Sequence, residues 1–137
     1  MRILAIDHGT KRMGIAMSDE LGMIAQPLEF IPAEPFDKFL HRLKQIIQEK
    51  QVEQILVGIP RNMDGSYGPA ALAAQAFAAV LKDALLVPIK TWDERLTSVQ
   101  ANRFLIQADV RRQKRKEKVD QTAAAILLQS YLESLSH

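Results

Sequence analysis

Carboxylates stand at three places in this chain where an element of an α/β sheet should begin or end: Asp7, the adjacent pair Asp93 and Glu94, and Asp120. Asp7 closes the apolar run Ile3-Leu4-Ala5-Ile6, Asp93-Glu94 closes a second strand-like run, and Asp120 opens the amphipathic C-terminal segment. Oxygen-only ligands suit hard divalent cations, Mg²⁺ or Mn²⁺. Two such ions roughly 3.5–4 Å apart stabilise the attacking and leaving oxygens of a phosphodiester displacement. A fold that gathered the three points would therefore be equipped for metal-dependent phosphodiester hydrolysis. Singly, each carboxylate has a plainer explanation. Asp7-His8-Gly9 is a common turn sequence, Glu94-Arg95 suits a surface ion pair, and Asp120 in the first turn of a helix is favoured by the helix dipole. Only their convergence points to a site.

The elements that must bring them together follow from hydrophobic period. Residues 2–7 read as a buried strand, His8 to Arg12 as a turn, and Gly14-Ile15-Ala16-Met17 as the return strand of a hairpin. Residues 23–31 suggest a third strand, with Pro27 at a sheet edge because proline cannot donate to a ladder. Phe36, Phe39, Leu40, Leu43, Ile46 and Ile47 then recur at helical intervals, with Lys38, Arg42 and Lys44 on the opposite face. Ile55 to Ile59 is a short buried strand, and the turn-rich loop from Pro60 to Gly68 leads into a helix with Pro69 in its first turn. The apolar face of that helix reads as Leu72, Ala73, Ala76, Phe77, Val80 and Leu81. Leu85 to Trp92 is the last strand. Thr97 and Gln100 have capping-box spacing for a helix burying Ala101, Phe104, Leu105 and Ala108. A final helix spans about Val119 to Leu135, with Val119, Ala123, Ile126, Leu127 and Tyr131 inward and Asp120 in its first turn. This order predicts an α/β fold, a five-stranded mixed sheet flanked by helices. Ligands of such sheets gather beyond the carboxyl ends of parallel strands, where Asp7 and Asp93-Glu94 fall.

Composition narrows the classes. With 137 residues, 47% of them apolar, and no composition break or repeat, residues 1–137 are expected to form a single domain. The absence of cysteine removes disulfides, zinc-thiolate sites and thiol nucleophiles. The N-terminal apolar run is cut short at Asp7 and no run reaches a membrane span, so a cytoplasmic protein without a membrane partner is expected. The three histidines lack metal-ligand spacing, and no serine-histidine-aspartate arrangement is apparent. An Asp-x-Gly turn within a hairpin also begins the phosphate-binding loops of actin-like ATPases, but those need two domains and a longer chain. The formal net charge is only +2, yet Arg111, Arg112, Lys114, Arg115 and Lys116 crowd into one short stretch before Asp120. That stretch is either a solvated loop or a sequence-independent clamp on a phosphate backbone. Lys11, Arg12 and Arg61 are further candidate phosphate contacts. No predicted helix carries a spare apolar stripe, which implies a monomer or weak homodimer.

Four segments, in order, resemble the successive motifs of the YqgF (RuvX) family: Ile6-Asp7-His8-Gly9-Thr10-Lys11-Arg12-Met13-Gly14-Ile15-Ala16, Val57-Gly58-Ile59-Pro60-Arg61-Asn62-Met63-Asp64-Gly65, Trp92-Asp93-Glu94-Arg95-Leu96-Thr97 and Lys118-Val119-Asp120-Gln121-Thr122-Ala123-Ala124. Together they cover nearly the whole chain. His8 stands where an aromatic is common in the family, and Arg61 where an apolar residue is frequent. The resemblance implies an RNase H-like fold related to the RuvC resolvases. It implies a Mg²⁺-dependent (or Mn²⁺-dependent) endonuclease in 5′-end processing of pre-16S ribosomal RNA, hence in ribosome biogenesis, with Holliday junction resolution as the alternative. It also implies catalytic and metal-ligating roles for Asp7, Glu94 and Asp120, with Asp7 bridging two ions. Asp93 stands as the alternative to Glu94, because adjacent strand residues point to opposite faces and only one of the pair can meet the metals. The competing class is a non-catalytic nucleic-acid-binding assembly factor. Against it, a pure binding protein has no reason to gather carboxylates near phosphates.

Overall fold

A computed structural model describes residues 1–96 and 122–135. The chain opens with the expected hairpin, β1 (Ile3–Asp7) and β2 (Arg12–Ser18), paired antiparallel with Asp7 opposite Gly14. The turn between them is closed by a glycine. A Cβ on Gly9 would lie 2.2 Å from the Arg12 carbonyl oxygen, which no side chain tolerates. β3 (Ala25–Pro32) adds antiparallel to β2, and β4 (Gln54–Ile59) and β5 (Ile89–Asp93) add in parallel on the far side of β1. The order is β3-β2-β1-β4-β5. Pro27 lies on the edge strand as expected. It sits beside an irregularity in which Ile15 pairs with Glu29 and Ala16 with Pro27, leaving Leu28 as the extra residue of a bulge.

Alternation along the central strands supplies two cores. Leu4, Ile6, Met13, Ile15, Ile31, Ile55 and Val57 face one way, towards α1 (Phe36–Lys50) and α2 (Pro69–Ala84). Ile3, Ala5, Ala16 and Leu56 face the other, towards α3 (Ala123–Leu135). β1 is thus buried on both faces, which is why it reads as a continuous apolar run. α1 buries Phe39, Leu43 and Ile46, and Arg42 ties it to β3 by a bidentate ion pair to Glu29 at 3.0 and 2.6 Å.

Three expectations need correction. The inward face of α2 is Ala71, Ala74, Phe77, Ala78 and Leu81, whereas Leu72, Ala73, Ala76 and Val80 are exposed. In an alanine-rich helix both faces look apolar, and the sheet takes the one whose small residues allow close approach. α2 therefore does carry a spare apolar stripe. β5 starts at Ile89 rather than Leu85, because the Leu85 N–H still bonds to the Leu81 carbonyl at 2.9 Å as the cap of α2 and Leu86 is fully exposed. The last helix starts at Ala123, not Val119, where the Thr122 hydroxyl accepts the Ala125 N–H at 3.1 Å. Ala123 is exposed, and the buried side is Ala124, Ala125, Leu127, Leu128 and the residues through Leu132. Asp120, the basic residues Arg111, Arg112, Lys114, Arg115 and Lys116, and the helix expected from Thr97 lie outside the described residues. No helix among the described residues is long and apolar enough to cross a membrane.

Candidate active site

Five residues form a row across the α3 face of the sheet near its carboxyl end: Phe30, Gly14, Asp7, Gly58 and Trp92. Gly14 pairs with Phe30 on one side and Asp7 on the other, Gly58 pairs with Trp92, and the β1–β4 register puts Asp7 next in line beside Gly58. Asp7 follows Ile3 and Ala5 on the face covered by α3. Its two strand neighbours are glycines, so no side chain from β2 or β4 crowds its carboxylate.

One of those gaps is filled by Glu94. A Cβ on Gly58 would meet the Glu94 Oε2 at 3.0 Å and the Leu127 Cδ2 at 2.8 Å, so the carboxylate of Glu94 lies directly over this glycine, beside Asp7. Glu94 reaches this position because β5 ends at Asp93 and the chain turns at once into a 3₁₀ turn, Glu94–Leu96. That turn is anchored from α3, where the buried Ser130 hydroxyl donates to the Leu96 carbonyl at 3.0 Å. Gln129 beside it spans the start of β3, accepting from the Ala25 N–H at 2.9 Å and donating to the Met23 carbonyl at 3.0 Å.

Asp93 is occupied elsewhere. Its carboxylate accepts from the Arg95 backbone N–H at 2.9 Å, from the Arg95 guanidinium at 2.7 Å and from Arg61 at 3.3 Å. Arg61 in turn donates from Nε to the Gly65 carbonyl at 3.0 Å and from Nη2 to the same oxygen, and packs over the Tyr67 ring at 4.4 Å. Arg61 is thus a brace for the loop between β4 and α2, with most of its donors engaged. Lys11 and Arg12 are exposed in the β1–β2 hairpin, and Arg12 lies over the Phe30 ring, 4.1 Å from its centroid.

The charges divide accordingly. Arg95, chiefly through its side-chain hydrogen bonds, holds the Asp93 carboxyl below the usual aspartate range. Burial pushes Asp7 up, opposed by neighbouring His8, whose own pKa burial lowers. Glu94 is pushed from an ordinary 4.5 to about 6, first by burial and then by the negative charges of Asp7 and Asp93. The charge of Asp7 thus bears on Glu94 as repulsion. Among the described residues neither Asp7 nor Glu94 has an ion-pair partner. Among the described residues nothing compensates the repulsion between these two half-buried carboxylates.

Gly58 and Ser130 were not singled out from sequence. A glycine within the aliphatic run Ile55-Leu56-Val57-Gly58-Ile59 is the one available signal, since glycine inside a strand marks close approach of another group. Gly58→Ala is expected to displace the Glu94 carboxylate and the Leu127 methyl together, costing about 1–3 kcal/mol of stability as overpacking does. Cleavage should fall more steeply than the unfolded fraction accounts for. Thermal melts paired with turnover at a temperature where the variant is folded check this; normal turnover there would show that Glu94 is free to move.

A hairpin with a third antiparallel strand, two further parallel strands and a carboxylate at the end of the first define an RNase H-like fold of the RuvC kind. Two structures of Thermus thermophilus RuvC, one of them in complex with a Holliday junction substrate, superpose with TM-scores of 0.58 and 0.55 at 13% and 17% identity, each covering 99% of this chain and 96% of RuvC. At that identity the likeness is one of fold. The chain belongs to the RuvX family, whose profile, described as Holliday junction resolvase, matches residues 1–134. A relative from Desulforamulus reducens is 51% identical over 134 residues, 98% of both chains, and one from Bacillus subtilis is 47% identical over 138 residues, 99% of this chain and 100% of its own. Both carry the provisional name pre-16S rRNA nuclease.

Proposed function

We propose that this chain is a divalent-metal-dependent endonuclease that hydrolyses phosphodiester bonds in 5′-end processing of pre-16S ribosomal RNA, in the cytoplasm. The observation that carries the reading is the pair Asp7 and Glu94 at the carboxyl edge of the sheet, without an ion-pair partner among the described residues. Carboxylates whose ionisation is opposed by burial and by each other suit a hard cation, which relieves both penalties. Asp7 and Glu94 would hold Mg²⁺ or Mn²⁺, with Asp120 as the third ligand, while Asp93 keeps its arginines. Bound there, divalent ions supply Lewis acidity at the phosphate and lower the pKa of the attacking water. The remaining work belongs to the chain: Ser130 steadies the turn that carries Glu94, Asp93 and Arg61 brace the adjoining loop, and Lys11 and Arg12 meet phosphates beside Asp7.

The segment 111–118 is proposed as the broader electrostatic clamp. Replacing Arg111, Arg112, Lys114, Arg115 and Lys116 by Ser should weaken binding to all sequences alike. It should also flatten the slope of log affinity against log salt by up to about 3.5, from roughly 0.7 per lost contact to a single strand. Titrations at several salt concentrations check it; an unchanged slope would make the segment a solvated loop.

Junction resolution is the second reading, and the exposed stripe of Leu72, Ala76 and Val80 on α2 favours it. A resolvase cuts two strands symmetrically and works as a two-fold dimer, which such a stripe could help to bury. A monomer or weak dimer with one active site suits the trimming of a single strand. Sedimentation at micromolar concentration, with Mg²⁺-dependent cleavage of precursor RNA and four-way junctions in competition, separates the two. A tight dimer that makes paired nicks and ignores RNA would reverse the ranking, and binding of either without cleavage would leave an assembly factor.

A further inference from the structure

The row that holds Asp7 ends, on the side away from Glu94, in an aromatic residue that the proposed hydrolysis does not use. Phe30 lies opposite Gly14 in the β2–β3 ladder. The point where a Cβ of Gly14 would stand is 3.3 Å from the Phe30 Cε1, 3.6 Å from the Asp7 Cβ and 3.8 Å from the Ala124 Cβ. The ring therefore leans into the room that glycine leaves, a space also lined by Asp7 and Ala124 at the start of α3. Although it packs against the sheet, Phe30 is 47% exposed. The guanidinium of Arg12, itself exposed, lies over this ring at 4.1 Å. An aromatic floor holds a flat cation in place one strand away from the candidate reacting centre.

From this juxtaposition we infer that Arg12 on Phe30 is a stacking platform for one unpaired nucleobase next to the cleaved phosphate. The inference rests on the nuclease reading for its substrate, though not for its geometry. Bases stack on aromatic rings and on arginine planes wherever they are not already stacked within a duplex. The platform is part of the sheet surface rather than a loop, so little ordering is needed on binding. It favours a nucleotide that is single-stranded, or splayed from a helix end, over one in continuous duplex. Arg12 then acts through its plane as well as its charge, a distinction that Lys cannot reproduce.

The test uses the full-length protein in EDTA, so that the RNA stays intact, and a short single-stranded RNA carrying 2-aminopurine, with a duplex of the same length alongside. Binding of the wild type and of Phe30→Tyr is expected to quench the 2-aminopurine. Phe30→Leu and Arg12→Lys, which keep an apolar floor and the positive charge respectively, should lose the quench and bind single strands roughly 5- to 100-fold more weakly. Duplex affinity should fall much less, since both variants keep a positive charge at position 12 to meet phosphates. Melting curves verify that both variants are folded. Wild-type binding without quench, no wild-type binding to the single strand, unaltered quench in Arg12→Lys, or equal losses on duplex and single strand would each overturn the platform. Failure of the nuclease reading looks different: quenching intact, with no cleavage when Mg²⁺ is restored.

Discussion

Asp7→Asn is expected to lower Mg²⁺-dependent cleavage by on the order of a thousandfold or more, while the metal-free protein melts at or above the wild-type temperature. The activity loss follows from the position of Asp7 between two glycines at the end of the central strand, where it is the one charged residue in the row of Phe30, Gly14, Asp7, Gly58 and Trp92. Losing a ligand there forfeits several kcal/mol of transition-state stabilisation. The stability gain follows from burial, which raises the Asp7 pKa above its ordinary value. A group with a raised folded-state pKa stabilises the fold only while protonated, so ionised Asp7 is a burden at neutral pH that Asn removes. Mg²⁺ should raise the melting temperature of the wild type and barely move the variant, because only the wild type gains binding energy in the folded state. Wild-type cleavage by purified Asp7→Asn would sink the metal-dependent reading.

Glu94→Gln should be nearly as damaging to cleavage, and Asp93→Asn much milder. Glu94 lies over Gly58 beside Asp7, whereas Asp93 is held by Arg61 and Arg95. The pH dependence separates them further. Below about pH 4.5 Glu94 is protonated in both folded and unfolded chains and costs nothing. Between 4.5 and about 6 the unfolded chain releases its proton first, so wild-type stability falls as pH rises through this window. Metal-free Glu94→Gln should therefore match the wild type at pH 4 and exceed it at pH 7, by about 1 kcal/mol after discounting for partial exposure. Asp93, with its pKa lowered, behaves oppositely: its contribution is present at neutral pH and is lost in acid, so Asp93→Asn should destabilise at pH 7. Denaturant titrations at pH 4 and 7 read the Glu94 outcomes, and titrations at pH 7 and well below 3.8 read those of Asp93. Equal losses of cleavage in Asp93→Asn and Glu94→Gln would mean that the loop brace matters as much as the carboxylate.

Hydrophobic period made the strands and helices legible, since β1, β2, β3, β4 and α1 fall where alternation and helical spacing put them. It failed where two faces were equally apolar. Leu72 and Val80 look like core residues from spacing alone, but the sheet accepts the alanine face of α2 because backbones can approach more closely there. It failed again at Leu85-Leu86-Val87, where an apolar run caps a helix and turns instead of pairing.

By itself the sequence determined which carboxylates are available, that Asp7 ends a buried strand, and which family motifs surround it, because side-chain chemistry and short-range periodicity are properties of the chain. Which acid of Asp93-Glu94 stands beside Asp7 was decided only in three dimensions. Alternation along a strand shows that the two must part, yet the choice depends on a 3₁₀ turn whose Leu96 is tethered by Ser130, 34 residues along the chain, and on two arginines that claim Asp93. The glycines opposite Asp7 and under Glu94, and the placing of Phe30 beneath Arg12, are likewise matters of register between strands far apart in sequence. A ladder sets that register through the packing of both faces at once, which no local stretch of residues encodes.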